Sequence, residues 1–349
     1  MAPVIFDRRQ RKIAPYSIAP WCLEQPKPKL IPLLESLRGD FFCMPFGANA
    51  QSFRGEQHPV HGETANSNWK LVGYERVGPV TELHLQMATK IRPGRVDKRL
   101  RLINGHNAVY CQHRVQLAAG PMSFGYHAML KCGEEPNSAY ISTSRIVHGQ
   151  VFPEPTEAPE NRGYSLLQPG AVFDCLESVP TITSATADLS QYPSRRGYED
   201  IVQVLSDPEN DFAWSAVSFP ADRYVWFTLK DPRMLTGTVF WFSNGGRHYP
   251  PWNGRHVGVV GIEEVTGYFV YGLQESARRN SHNSLGVKTA LTTSPDTPLD
   301  FKVISGVALT PRGFGKVQSI ERSAGGVTLT SSEGQSVAVP LDVEFLYSK

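Results

Sequence analysis

Apolar and polar residues alternate at period two along most of this chain, and almost nothing recurs at the helical period. Over residues 107–118, Val109, Cys111, His113, Val115 and Leu117 fall on one side, and Tyr110, Gln112, Arg114 and Gln116 on the other. That is the pattern of a long, half-exposed strand. Residues 80–88 set Leu83, Leu85 and Met87 against Glu82, His84 and Gln86; residues 98–103, 139–147, 223–229, 236–242 and 257–265 read the same way. Helical candidates are confined to 30–37, interrupted by Pro32, and 274–280. Neither is long enough to connect parallel neighbours, so the strands must pair antiparallel. The expected fold class is therefore all-β, with two packed sheets.

The texture continues to the end, with short strands at 303–309, 317–322, 326–330 and 335–339 broken by Pro311-Arg312-Gly313, Gly325-Gly326 and Glu333-Gly334. Residues 150–168, rich in Pro and Glu, and 206–211 read as surface loops rather than linkers, because strands lie on either side. A length of 349 residues admits one or two domains by size alone. The uniform texture favours a single sandwich over 1–349, with 1–12 as a basic N-terminal tail and 301–349 as C-terminal strands of the same domain.

Composition narrows the function classes. Hydrophobic residues at 40% and charged residues at 19% supply a large core and exclude disorder. The net charge of +2 comes from dispersed residues, apart from Arg8, Arg9, Arg11 and Lys12, which gives no nucleic-acid footprint. No run approaches the roughly 20 apolar residues of a membrane span, and the start carries charge where an export signal would be apolar. The expectation is a cytoplasmic protein without a membrane partner. Five widely spaced cysteines, Cys22, Cys43, Cys111, Cys132 and Cys175, encode neither a disulfide framework nor a zinc ribbon.

Three segments gather titratable residues beside glycine or proline. The first runs from Arg38 through Phe46 and Gly47, followed by His58-Pro59-Val60-His61-Gly62-Glu63-Thr64-Ala65-Asn66. The second is Ser123-Phe124-Gly125-Tyr126-His127. The third spans 242–256, with Trp252 and the arginines Arg247 and Arg255, and leads into Val260-Gly261-Ile262-Glu263-Glu264. His58 and His61 lack the carboxylate or cysteine partners of a metal shell, and Pro59 opposes helical spacing, so no metal is expected. Each histidine alone also reads as a satisfied structural residue. Glu263 is the stronger hint, since it alternates inward in a very apolar strand, where an unpartnered carboxylate is costly. Glu264 should face the other way and serve as a control.

His61-Gly62-Glu63-Thr64-Ala65-Asn66 with Trp69, Gly125-Tyr126-His127 and Val260-Gly261-Ile262-Glu263, in that order, resemble the aldose 1-epimerase (galactose mutarotase) superfamily, as a divergent member. The resemblance implies a galactose mutarotase-like β supersandwich of two large antiparallel sheets, with a sugar held in an open cleft on one face. It implies Glu263 as catalytic base, His127 as the acid at the ring oxygen and His61 in support, with no metal or organic cofactor. Anomer interconversion removes a proton from the anomeric hydroxyl while protonating the ring oxygen, which a carboxylate and an imidazole on opposite edges of the sugar accomplish. Arg38, Asn66, Trp241, Arg247, Trp252 and Arg255 are the candidate substrate-binding residues, the arginines for polar groups and the tryptophans for stacking. Thr64-Ala65 stands where the hexose-phosphate branch carries an arginine, which leaves phosphate recognition in doubt. The loops 46–62 and 244–254, dense in Gly and Pro, are expected to wall the cleft. The partner is then a small sugar or sugar derivative. Competing readings are a carbohydrate-binding protein or sensor without turnover, and a lyase or hydrolase on the same scaffold.

Overall fold

A computed structural model describes residues 5–8, 11–24 and 30–348. Its frame is two large antiparallel sheets. One has nine strands, in spatial order Gln191–Tyr192, Ala139–Thr143, Ala213–Phe219, Tyr224–Lys230, Leu299–Leu309, Ala108–Leu117, Gly94–Ile103, Val80–Thr89 and Lys70–Val77. The other has seven, in order Val172–Phe173, Ile146–Val151, Tyr198–Ser206, Gly237–Asn244, Val259–Thr266, Phe124–Lys131 and Asp40–Cys43. The two sheets pack through alternate residues: Leu130, Val202, Phe240 and Ile262 from the smaller meet Val217, Trp226 and Val307 from the larger in one buried cluster. Period-two side-chain alternation is what frees the opposite face of each sheet for other work.

The other face of the seven-stranded sheet carries a second apolar layer. Met129, Val239, Ile201 and Trp241 of its strands are buried under Ala19, Trp21, Leu33 and Leu37 of the N-terminal segment and under Phe46, Phe152 and Trp252 from loops. The expected helix at 30–37 is one short helix, Pro32–Ser36, and a 3₁₀ turn, Pro20–Leu23, precedes it. Of the tail expected over 1–12, residues 1–4, 9 and 10 lie outside the described residues, and the rest is anchored. Phe6–Arg8 pairs with Arg11–Ile13, and Phe6 and Ile13 are buried in the inter-sheet core, an apolar hold that the run of charges obscures. Arg9 lies outside the described residues.

Two further differences have plain causes. The expected single strand at 139–147 is two, Ala139–Thr143 and Ile146–Val151, which belong to different sheets. The chain crosses the sandwich at Ser144-Arg145, and alternation continues on both sides of the crossing. Tyr110 lies on the side of its strand expected to face solvent, yet it is buried, because the C-terminal strands Val317–Ser323, Gly326–Ser331 and Ser336–Pro340 form a three-stranded sheet on that outer face. Phe345 meets the Tyr110 ring edge-on with centroids 5.2 Å apart, and Asp342 N donates to its hydroxyl at 2.8 Å. Leu299–Leu309, by contrast, is woven into the middle of the nine-stranded sheet. Among the described residues no helix is long and apolar enough to cross a membrane.

Candidate functional site

Strand register assembles the site. Phe41 pairs with His127, His127 with Glu263, Glu263 with Val239 and Val239 with Gln203, so these residues form one row across five strands of the seven-stranded sheet. Direct pairing on one face brings side chains within contact range. His127 Nε2 lies 3.3 Å from Glu263 Oε1. Phe41 stacks on the His127 imidazole at 4.6 Å between centroids, and Trp241 meets it edge-on at 5.9 Å. Two residues back along the Glu263 strand, Gly261 leaves the room this needs. A Cβ there would sit 3.1 Å from both Glu263 Oε1 and Trp241 Cβ.

His61 arrives from a loop. Its backbone is left-handed, with φ of 57°, and it caps the short helix Gly62–Asn66. The loop is stitched to the segment after Asp40–Cys43. His61 N donates to Gly47 O at 2.7 Å, and Gly47 N donates to His61 Nδ1 at 3.4 Å. Gly62 is obligatory there, because φ is +75° and a Cβ would lie 1.8 Å from Met44 O. The ring of His61 stands edge-on to His127 at 5.0 Å, between Phe41 and Phe46. The structure thus brings His61, His127 and Glu263 together.

Electrostatics follow from burial. Glu263 is 1% exposed and His127 4%. Desolvation drives the Glu263 carboxyl well above its usual range, only partly opposed by Arg247. The same effect, with His61 adding to it, holds His127 well below the usual imidazole value. Burial pushes His61 down to about 4. Burial thus disfavours charge on both members of the Glu263–His127 pair, raising the carboxyl and lowering the imidazole. Glu263 Oε2 and His127 Nδ1 are buried without any hydrogen-bond partner. Buried polar atoms are nearly always paired, so these two stand out, together with unpaired ring nitrogens of His113, His256 and His282 elsewhere.

The candidate substrate-binding residues divide. Trp241, Arg247 and Trp252 lie together beside the pair, with the Arg247 guanidinium 4.5 Å from the Trp252 ring centroid and 5.4 Å from that of Trp241. Arg247 Nε donates to Glu157 Oε1 at 2.6 Å and lies 3.8 Å from Glu199 Oε1. Asn66 is spent on backbone: its amide nitrogen donates to Val60 O and Gly62 O, and its oxygen accepts from Leu33 N. Arg255 is exposed, bonds Glu24 at 2.5 Å and lines a cavity of about 350 Å³ with Tyr16, Lys131 and His256. Arg38 is half-buried in the N-terminal layer with Nε unpartnered. Among the described residues neither Arg38 nor Arg255 makes a polar contact to the pair.

Several contributors escaped the sequence reading. Glu199 is 1% exposed, accepts a bond from Trp241 Nε1 at 2.8 Å, and is pushed up by burial to about 7. Its signal was present, because it alternates inward with Ile201 and Gln203 just as Glu263 does in its own strand. Glu157 had no signal, being one of several acidic residues in a loop. His58, by contrast, belongs to a structural cluster, bonded to Glu56 at 2.9 Å, which in turn holds Arg92 at 2.7 Å. Glu264 does face the opposite side, but not idly: it accepts from Ser215 and Thr238 and pairs with Lys230 at 2.5 Å between the sheets. It cannot serve as a neutral control. Two expectations about the cleft also change. The face is roofed by the N-terminal segment and loops rather than open, and the carboxyl and imidazole are direct neighbours rather than on opposite edges of a sugar-sized gap.

The two-sheet frame is the galactose mutarotase-like β-sandwich fold. The Slr1438 protein of Synechocystis sp. PCC 6803 superposes with a TM-score of 0.54 at 12% identity, over 86% of each chain. A protein of Klebsiella pneumoniae named "putative aldose 1-epimerase" gives 0.53 at 15% identity, over 78% of this chain and 63% of its own. One of the same name from Escherichia coli K12 gives 0.53 at 12%, over 82% and 88%. At such identities the likeness is one of fold. No protein-family model and no curated protein sequence matches the chain.

Proposed function

We propose that the protein interconverts the anomers of a sugar or sugar derivative at the His127–Glu263 pair. The observation that carries this reading is the pair itself: a carboxyl and an imidazole in register on adjacent strands, 3.3 Å apart, each with an unpartnered polar atom, with burial favouring the protonated carboxyl and the neutral imidazole. Transfer of that proton from Glu263 to His127 yields the carboxylate and imidazolium that ring opening needs. Sugar hydroxyls donating to Glu263 favour this arrangement over the resting one. The carboxylate then takes the anomeric proton while the imidazolium protonates the ring oxygen, and closure from the other face reverses both transfers. His61 supports from beside the His127 ring, and Trp241 and Trp252, buried at rest, meet the pyranose with Arg247 only when the covering loops part to admit it.

Polarimetry or exchange NMR over a panel of aldoses tests it. Wild type should accelerate anomerisation, and Glu263→Gln should lose roughly 10²- to 10⁴-fold, the usual worth of a positioned proton carrier. Glu134→Gln, a surface change, should lose nothing. Full activity in Glu263→Gln would sink the assignment.

The burial of the pair and of Trp241 favours a second reading, a carbohydrate-binding protein or sensor that does not turn over. Calorimetric sugar binding with no acceleration by wild type, unchanged in Glu263→Gln, would select it.

A further inference from the structure

The indole of Trp241 is tethered differently from the others in the chain. Trp21 Nε1 donates to Leu34 O, Trp69 Nε1 to Thr64 O and Trp226 Nε1 to the Tyr16 hydroxyl. Trp241 Nε1 donates instead, at 2.8 Å, to a carboxyl, Glu199 Oε1, whose residue is 1% exposed. A carboxyl is costlier to bury than a carbonyl, and when ionised it accepts a stronger bond. Glu199 is itself fixed by strand register. It pairs with Ser243, whose hydroxyl lies 2.6 Å from His256 Nδ1, and its backbone N donates to Tyr164 O at 2.8 Å.

The indole so tethered stands beside the pair. His256 stacks on it, 5.4 Å between centroids and 15° from parallel, and His127 meets it edge-on at 5.9 Å. Gly261 is what lets it come close to the carboxyl: a Cβ there would sit 3.1 Å from Glu263 Oε1 and 3.2 Å from Trp241 Cε3, so ring and carboxyl flank one glycine. Stacking alone does not settle which edge of the ring turns toward the pair, because χ2 of tryptophan is broad and roughly two-fold. The bond from Nε1 settles it, since only one of the two orientations brings the N–H to Glu199. Among the described residues Glu199 makes no hydrogen bond or ion pair with His127 or Glu263, so any effect it has on them passes through Trp241.

We infer that Glu199 is a positioning residue, which sets the orientation of Trp241 against His127 and Glu263 and thereby the surface that a pyranose meets. The role rests on the anomerisation proposed above, as a determinant of sugar binding rather than of proton transfer.

Glu199→Leu removes the acceptor at similar volume, and Glu199→Gln keeps one in its amide oxygen. In proton–nitrogen correlation spectra, with the Trp241 indole signal assigned by its loss in Trp241→Phe, Glu199→Leu should move that signal and Glu199→Gln should move it much less. In polarimetry Glu199→Leu should raise KM roughly tenfold, within the worth of one hydrogen bond, with kcat held within about threefold, and Glu199→Gln should recover most of the loss. Trp241→Phe, which keeps a ring but has no N–H, should raise KM to a similar extent with Glu199 intact, and the double variant Glu199→Leu with Trp241→Phe should be little worse than either alone. That cycle keeps the inference testable if Glu199→Leu folds poorly. An indole signal that moves while KM does not, a loss confined to kcat, or losses that add in the double variant each overturn the inference and leave the anomerisation reading standing. A wild type that accelerates no sugar's anomerisation overturns both.

Discussion

Glu263 and Glu264 are sequence neighbours with opposite physical situations, and stability measurements should separate them. Glu264 is the ion-pair partner of buried Lys230, so Glu264→Gln leaves an uncompensated ammonium between the sheets and should cost about 3–5 kcal/mol in chemical denaturation. Burial favours the protonated form of Glu263, with which the amide of Glu263→Gln is close to isosteric and isoelectric; the loss should stay within about 1 kcal/mol. A reversal of this order would mean that Glu263 is charged at rest. The pair also sets the pH dependence of the proposed activity. Burial holds His127 below the ordinary imidazole value, so protonation of its ring should cut the rate only on the acid side of pH 6.5. An imidazole limb at or above pH 6.5 would contradict that. Glu199 gives a matching stability signature. Its folded value of about 7 exceeds the ordinary 4.5, so its contribution is full below about 4.5 and is lost as pH rises through 7. Glu199→Gln should flatten that decline in a series of denaturant melts. Of these three carboxylates the sequence singled out Glu263 by inward alternation. The same rule reaches Glu199, but Asp200 beside it is also buried, by bonds to Leu166 N and Leu167 N, so neighbour contrast does not help there.

Elements were legible wherever one face is apolar, and their partners were not. The strand expected at 107–118 is Ala108–Leu117 and that at 80–88 is Val80–Thr89, because alternation records which face is buried. It records nothing of which sheet a strand joins, hence the unforeseen crossing at Ser144-Arg145. Nor does it reveal a covering layer, hence the burial of Tyr110 under the C-terminal sheet and of His127 beside the rings of Phe41 and His61. The His-Gly pair was the most informative local signal. Gly62 is required by both φ and the approach of Met44 O, and it fixes where the His61 ring points. Gly62→Ala should therefore destabilise by more than about 2 kcal/mol and also lower the proposed activity, whereas Gly78→Ala, in a hairpin where a Cβ meets nothing within 4 Å, bears only the cost of its φ of +56°. Equal melting midpoints for the two variants would remove the case for Gly62 as the residue that seats His61.

At the scale of the molecule the question is whether the C-terminal sheet is an appendage or part of the frame. Leu299–Leu309 lies between Tyr224–Lys230 and Ala108–Leu117 in the nine-stranded sheet, so that sheet cannot form without residues from the last sixth of the chain. The three strands that follow, with the 3₁₀ turn Val343–Leu346 after them, share one buried cluster with the sheet's outer face, where Trp214, Phe227 and Ile304 meet Ile320, Leu329 and Phe345. Neither surface is stable in water without the other, since each would expose a contiguous apolar patch. We therefore expect the described chain to unfold as one cooperative unit: calorimetry should show a single transition whose van't Hoff and calorimetric enthalpies agree. Phe345→Ala, which opens that shared cluster, should lower the whole transition by the roughly 3–5 kcal/mol typical of such truncations rather than split off a separate one. A second, earlier transition in this variant would make the C-terminal sheet a unit that folds by itself, and would confine the cooperative frame to the two large sheets that position His127 and Glu263.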